Sequence, residues 1–176
     1  MNLSLTITCD IYPDLVLRAA QTHDQDNLRE WKNAHRHRFF FQDLISADMQ
    51  ATWFDSYLKR EQDFMFVVEV AGQAIGCMAV RRLADTWDYY NIILGVSQFG
   101  GLGHMSRAFR MLCSFALERE ALRISGKVLR ENPAIDWYLR NAGRLVATQA
   151  DYVELELDMT RFEPCAIRVA NMAVGL

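Results

Sequence analysis

The run Gln98-Phe99-Gly100-Gly101-Leu102-Gly103 has the composition of an anion cradle, with three glycines crowded just before a long amphipathic segment that starts at His104. Glycine has no Cβ, so backbone N–H groups at such positions approach a phosphate closely. A helix beginning there adds its unpaired first-turn N–H groups and the positive end of its dipole. Phosphate recognition is the chemistry this spacing suggests, although the same residues would also make a purely structural turn. No Lys-Ser or Lys-Thr follows, and the glycine spacing is not that of the dinucleotide fingerprint, so neither a P-loop nor a Rossmann-type site is read here. A second group is His35-Arg36-His37-Arg38, followed at once by Phe39, Phe40 and Phe41. Arg36 and Arg38 would either wall a site for an anionic acceptor or end a solvated helix. His35 and His37 lie two apart and cannot share a helix face. No other His, Cys, Asp or Glu cluster has ligand spacing, and no metal site is expected.

These residues need elements to hold them. At 176 residues the chain fits one domain. Its 51% hydrophobic and 11% aromatic content exceeds that of disordered chains, and no apolar run approaches the ~20 residues of a membrane helix. A net charge of −3 does not suggest the basic face of a nucleic-acid binder. The N-terminus lacks the basic region and apolar core of a secretory signal, and Cys9, Cys77, Cys113 and Cys165 form no CxxC pair. A cytoplasmic location with reduced thiols is therefore expected, without a zinc cluster or disulfide framework.

Along the chain, residues 15–19 read as a first strand. Thr22-x-x-Gln25 has the form of a capping box, opening a helix with Leu28 and Trp31 on one face. Ser46 reads as the N-cap of a second helix carrying Trp53, Phe54, Tyr57 and Leu58. A meander follows over 64–70 and 74–81, turning at Ala71-Gly72-Gln73. The next strand, 87–94, is mostly apolar or aromatic on both faces, as a strand covered on both sides should be. Met105, Ala108, Phe109, Leu112, Phe115 and Ala116 form a stripe that predicts a helix over 104–120. A strand over 123–128 leads to Asn132-Pro133, the N-cap and first turn of a helix that Gly143 closes. Strands over 145–148 and 152–157 complete the order, and residues 160–176 show no clear period.

That order, β-α-α-β-β-β-(Gly loop)-α-β-α-β-β, carries two motifs that resemble the GNAT N-acetyltransferases. Residues 98–103 resemble the family's Gln/Arg-x-x-Gly-x-Gly/Ala loop, and Asn132 through Gly143 its second motif, in which an Asn opens the helix and a Gly closes it. The resemblance covers about residues 15–158. It implies a single α/β (α+β) domain over 15–158, with an extension at 1–14 and a tail at 159–176. The sheet would be mixed, with about six or seven strands, helices on both faces, and two splayed parallel strands, 87–94 and 123–128, holding acetyl-CoA as cosubstrate. Backbone groups near Ile93, Leu94 and Val96 would bond the pantetheine arm as an added strand. Gln98, Phe99, Gly100, Gly101, Gly103 and the His104 amide would hold the pyrophosphate. Asn132 would contact the pantetheine or thioester region, or simply cap its helix.

The mechanism the resemblance implies is direct attack of a neutral amine on the thioester. Tyr138 is the candidate acid for the departing thiolate, or else an aromatic core residue. The family's tyrosine usually stands seven residues after the Asn, where this chain has Leu139, and one residue turns a helical side chain by ~100°. Asp88, the only carboxylate on 87–94, is the candidate base, with Glu69 as the alternative, unless each is simply solvated or ion-paired. Leu28-Arg29-Glu30-Trp31-Lys32-Asn33 resembles the Leu-x-x-Trp-Arg-Asn segment of GNAT enzymes acting on nucleotide-linked amino sugars, a segment also met in ribosomal-protein N-terminal acetyltransferases. Trp31, Phe39 to Phe41, Trp53, Trp87, Tyr89 and Tyr90 would then either stack on a sugar or base or simply pack in the core, Trp31 and Tyr90 being the candidates for the site, and Arg36 or Arg38 would meet a diphosphate. An amino-sugar nucleotide is the first expected acceptor, and a peptide N-terminus or small amine the alternative. The offset of Tyr138, and Arg144 where the family commonly has Phe, motivate a reading from another class, a non-catalytic coenzyme-binding module. The expected partners are acetyl-CoA and an anionic amine, with room for a homodimer and with neither nucleic acid nor membrane.

Overall fold

Nine strands form one mixed sheet in the computed structural model, which describes residues 5–171. In chain order they are β1 (Leu5–Cys9), β2 (Leu15–Ala19), β3 (Asp63–Val70), β4 (Gln73–Leu83), β5 (Thr86–Leu94), β6 (Arg123–Leu129), β7 (Gly143–Thr148), β8 (Tyr152–Leu157) and β9 (Ile167–Asn171). The helices are α1 (Gln25–Ala34), α2 (Ala47–Tyr57), α3 (His104–Arg119) and α4 (Ile135–Arg140). Across the sheet the order is β7-β8-β6-β5-β4-β3-β2-β1-β9. Every neighbouring pair is antiparallel except β5 and β6, which run parallel with α3 as their crossover.

The sheet is wider than the six or seven strands predicted because β1 and β9, from the expected extension and tail, pair with each other beyond β2. Both are five residues long, too short for their pattern to stand out, yet Ile7 and Cys9 are buried. The ends of those two segments, residues 1–4 and 172–176, lie outside the described residues.

Period-two alternation divides the central strands between two cores. Phe64, Phe66 and Val68 of β3 join Trp87 and the α3 residues Leu112 and Phe115 on one face. Met65 and Val67, with Cys77 and Ile93, join Trp31 of α1 and Phe54 and Tyr57 of α2 on the other. This is why β5 carries apolar residues on both faces.

Three local expectations shift. The first capping box is made by Gln21 and Asp24, one residue earlier than Thr22 and Gln25: Gln21 N donates to Asp24 Oδ2 at 2.7 Å, and Arg18 braces that carboxylate at 2.8 Å. Asn132 does not cap α4 directly. Its Oδ1 accepts from Ala134 N at 2.9 Å in a turn, and the helix begins only at Ile135. Nor does Gly143 end that helix. Ala142 takes the left-handed conformation (φ 61°) and Gly143 opens β7, where a Cβ would lie 2.6 Å from the Tyr138 carbonyl oxygen.

Candidate active site

The site starts where β5 and β6 part. Their parallel pairing lasts three rungs, Thr86 with Arg123, Trp87 with Ile124 and Asp88 with Ser125. Beyond Asp88 the buried ring of Tyr89 lies against Gly126, so close that a Cβ there would sit 2.3 Å from it. Tyr138 stacks on Tyr89, ring centroids 5.2 Å apart. β5 also bulges: Cys77 pairs with Ile93 but Ala79 with Tyr90, so Asn91 and Ile92 together oppose Met78, and Asn91 has φ 48°. Bulges re-aim side chains next to sites.

At the end of β5 the chain makes a 3-10 turn over Ser97–Phe99 and enters α3 through Gly101 (φ 74°) and Gly103 (φ 79°). Nothing lies within 4 Å of where a Gly101 Cβ would be, so the loop's surface is open. Gly100, Gly101, Gly103, Phe99, His104 and Leu94 line a cleft of about 380 Å³ at the N-terminus of α3, where first-turn amides point outward. Gln98 is exposed and does not line this cleft. The Val96 amide is already spent on Ile75 O at 2.9 Å, so this residue offers no free backbone donor.

A larger cleft of about 620 Å³ follows the open side of β5 and is lined by Asp88, Tyr90, Asn132, Tyr138 and Arg38. Tyr138, not Leu139, reaches it, because α4 starts later than the Asn-Pro signal implies and so turns its register. Burial pushes the Tyr138 phenol above its ordinary pKa. Burial likewise raises the Asp88 carboxyl, against the pull of Arg81, whose Nε donates to it at 2.9 Å. The Asn132 amide donates to Arg38 O at 3.3 Å, tying the loop after α1 to the start of α4.

A third cavity, about 420 Å³, lies between α1, α2 and the sheet and is lined by Leu28, Lys32, Gln50, Trp53, Tyr90 and Ile93, among others. Tyr90 spans this cavity and the large cleft; its hydroxyl donates to the buried Asp63 and the Arg81 guanidinium lies 4.7 Å from its ring centre. Of the residues expected at an acceptor wall, Trp31 is instead turned into the core, filling the space above Gly95, and lines none of these spaces. Arg36 is exposed and bonds Asn33 O at 3.2 Å. Arg38 faces the glycine-loop cleft and the large cleft but not the third cavity. Lys32, Gln50, Arg81 and Ile92 were not foreseen. For Lys32 a signal existed: it follows Leu28 by four residues and Trp31 by one, a charge on the apolar stripe of α1.

Residues 14–143 match the family model described as an acetyltransferase (GNAT) domain. Among solved structures, a spermidine N-acetyltransferase from Vibrio cholerae, in complex with CoA and spermine, superposes with a TM-score of 0.72 at 15% identity, over 85% of this chain and 98% of that one. FdhC, a nucleotide-linked sugar GNAT, gives 0.71 at 11% identity, over 92% of this chain and 93% of its own. RimL, a ribosomal L7/L12 alpha-N-protein acetyltransferase in complex with coenzyme A, gives 0.66 at 16% identity, over 92% and 96%. At these identities the likeness is one of fold. No curated protein sequence matches the chain.

Proposed function

The chain belongs to the GNAT acetyltransferase family, and from that premise we propose that it moves an acetyl group from acetyl-CoA to a primary amine by direct attack in a ternary complex. The observation that carries the proposal is the parallel pair that parts after three rungs and opens onto a glycine loop at a helix N-terminus. The residues fit the coenzyme: the loop 100–103 and the first amides of α3 suit a pyrophosphate, and the unpaired edge of β5 near Ile92 and Leu94 suits an extended amide-bearing arm. When bound, acetyl-CoA supplies a thioester whose carbon bonds the acceptor nitrogen as the C–S bond breaks. Tyr138, held protonated by burial, is placed in this reading to give the departing sulfur its proton. Asp88, kept in place by Arg81, receives the nitrogen's proton directly or through water. Orientation in the cleft supplies much of the rate, since holding reactants in line is worth up to ~7–11 kcal/mol.

The first candidate acceptor is the amino group of a nucleotide-linked sugar, supported by the cationic side chains around the clefts, Lys32, Arg38 and Lys127. A second reading, a protein N-terminus, is favoured by Phe40 and Leu44, which stand 58% and 64% exposed on the loop beside the acceptor side. Exposed apolar groups of this kind often meet a macromolecule. A free-thiol release screen over amino-sugar nucleotides, peptides and small amines tests both. Coenzyme binding with no thiol release from any amine would instead identify a non-catalytic coenzyme-binding module.

A further inference from the structure

The cavity between α1, α2 and the sheet holds polar groups that the transfer step does not use. The Lys32 ammonium donates to Asn91 Oδ1 at 2.6 Å and lies 3.3 Å from the centre of the Phe39 ring. Burial draws its pKa from 10.5 to about 8, and among the described residues no carboxylate pairs with it. Gln50 is only 6% exposed, lines the same cavity, and its Nε2 donor has no partner. The other two cations there are already answered, Arg60 by Asp63 at 3.1 Å and Arg81 by Asp88 at 2.9 Å.

A largely desolvated ammonium without a counter-charge and a buried amide donor without an acceptor both cost stability until an acceptor reaches them. Both are donors, and no carboxylate lines the cavity among the described residues. The group that completes the site is thus a hydrogen-bond acceptor, and the ammonium favours an anionic oxygen over a second cation. Leu28, Trp53 and Ile93 complete the wall with apolar surface.

We propose that this cavity binds an anionic oxygen group of the acceptor, a carboxylate or phosphate, anchored by Lys32 and Gln50, so that the enzyme selects negatively charged amines and discriminates against polyamines. The inference rests on the acetyl-transfer reading and names the substrate class of that site. Lys32, Phe41, Arg81, Tyr90 and Asn91 line both this cavity and the cleft along β5, so a molecule anchored in one extends into the other.

Calorimetric titration with benzoate and with inorganic phosphate tests the anchor without any turnover. Wild type is expected to bind at least one of the two, and Lys32→Met to bind it about tenfold more weakly or worse, as loss of a charge-assisted hydrogen bond requires. Should Lys32→Met fail to fold, Gln50→Leu carries the same comparison. If wild type binds neither anion, or if the variant binds as tightly as wild type, the proposal is overturned. Thiol release is then measured for phenylalanine against phenylalaninamide, for glucosamine 6-phosphate against glucosamine, and for spermidine. The charged member of at least one pair is expected to have the higher kcat/KM, spermidine to be poor, and the advantage to collapse in Lys32→Met while coenzyme KM stays unchanged. Acetylation that ignores charge sinks the anion site and leaves the transfer reading intact. Anion binding at Lys32 with no thiol release from any amine sinks the transfer reading and leaves the anion site standing.

Discussion

Tyr138 and Lys32 are perturbed in opposite senses by the same cause. Burial penalises whichever form is charged, so the phenol holds its proton more tightly and the ammonium gives it up more easily. For Tyr138 the consequence is a donor that stays protonated at any working pH. Tyr138→Phe preserves the stack on Tyr89 and is expected to lower kcat about 10²-fold with coenzyme affinity unchanged, as steady-state kinetics and calorimetry would register. An unaltered kcat would leave the sulfur's proton to water. For Lys32 the consequence is a stability that depends on pH. Between about 8 and 10.5 the unfolded chain binds more protons at this position than the folded one, so folding stability rises with pH through that window. The folded state carries the full penalty below pH 8 and loses it above 10.5, a change on the order of 3 kcal/mol. Denaturant titrations of wild type and Lys32→Met across that range, without ligand, are expected to show wild type gaining on the variant as pH rises. A constant difference would mean that water reaches the ammonium in the folded state.

The loop between β5 and α3 was legible in the sequence because its signal is local: glycines at two left-handed positions followed by a 3.6-residue stripe. Gly101 faces open space, so a side chain there meets no neighbour but must adopt a strained φ of 74° and project where a phosphate would approach. Gly101→Val and Gly103→Val are expected to abolish the rise in melting temperature that acetyl-CoA gives wild type. Full coenzyme stabilisation in folded variants would move the pyrophosphate elsewhere. The α4 element was read less well. Asn132-Pro133 and Gly143 have the composition of helix ends, yet the helix is shorter at both ends, because Asn132 spends its side chain on Ala134 and Arg38 while Gly143 is needed for close approach to Tyr138 O. That shortening turns Tyr138 into the cleft, which counting from the Asn could not decide.

At the scale of the whole molecule, among the described residues three parallel rungs are the only ladder joining β6, β7 and β8 to the other six strands. Open strand edges exchange amide hydrogens readily. On adding coenzyme, hydrogen exchange is expected to slow at residues 89–94 and 100–106 and to stay unchanged in β1 and β7; equal protection everywhere, or none at 89–94, would count against the cleft as the binding site. The sequence by itself determined the elements from β2 to β8 and their order, the two-sided burial of β5, the glycine loop and the family resemblance, but not β1 and β9, since each of the former rests on periodicity or a motif within a few residues. The tertiary structure alone decided which side chains share a space. Trp31 and Lys32 are adjacent on α1, yet one fills the core over Gly95 and the other reaches Asn91, 59 residues away, at the bulge of β5. Arg36 and Arg38, adjacent in the basic run, are separated by the turn that exposes the first and turns the second toward the glycine-loop cleft. The physical reason is that convergence depends on packing between elements distant in the chain, whereas the patterns that form those elements are written along it.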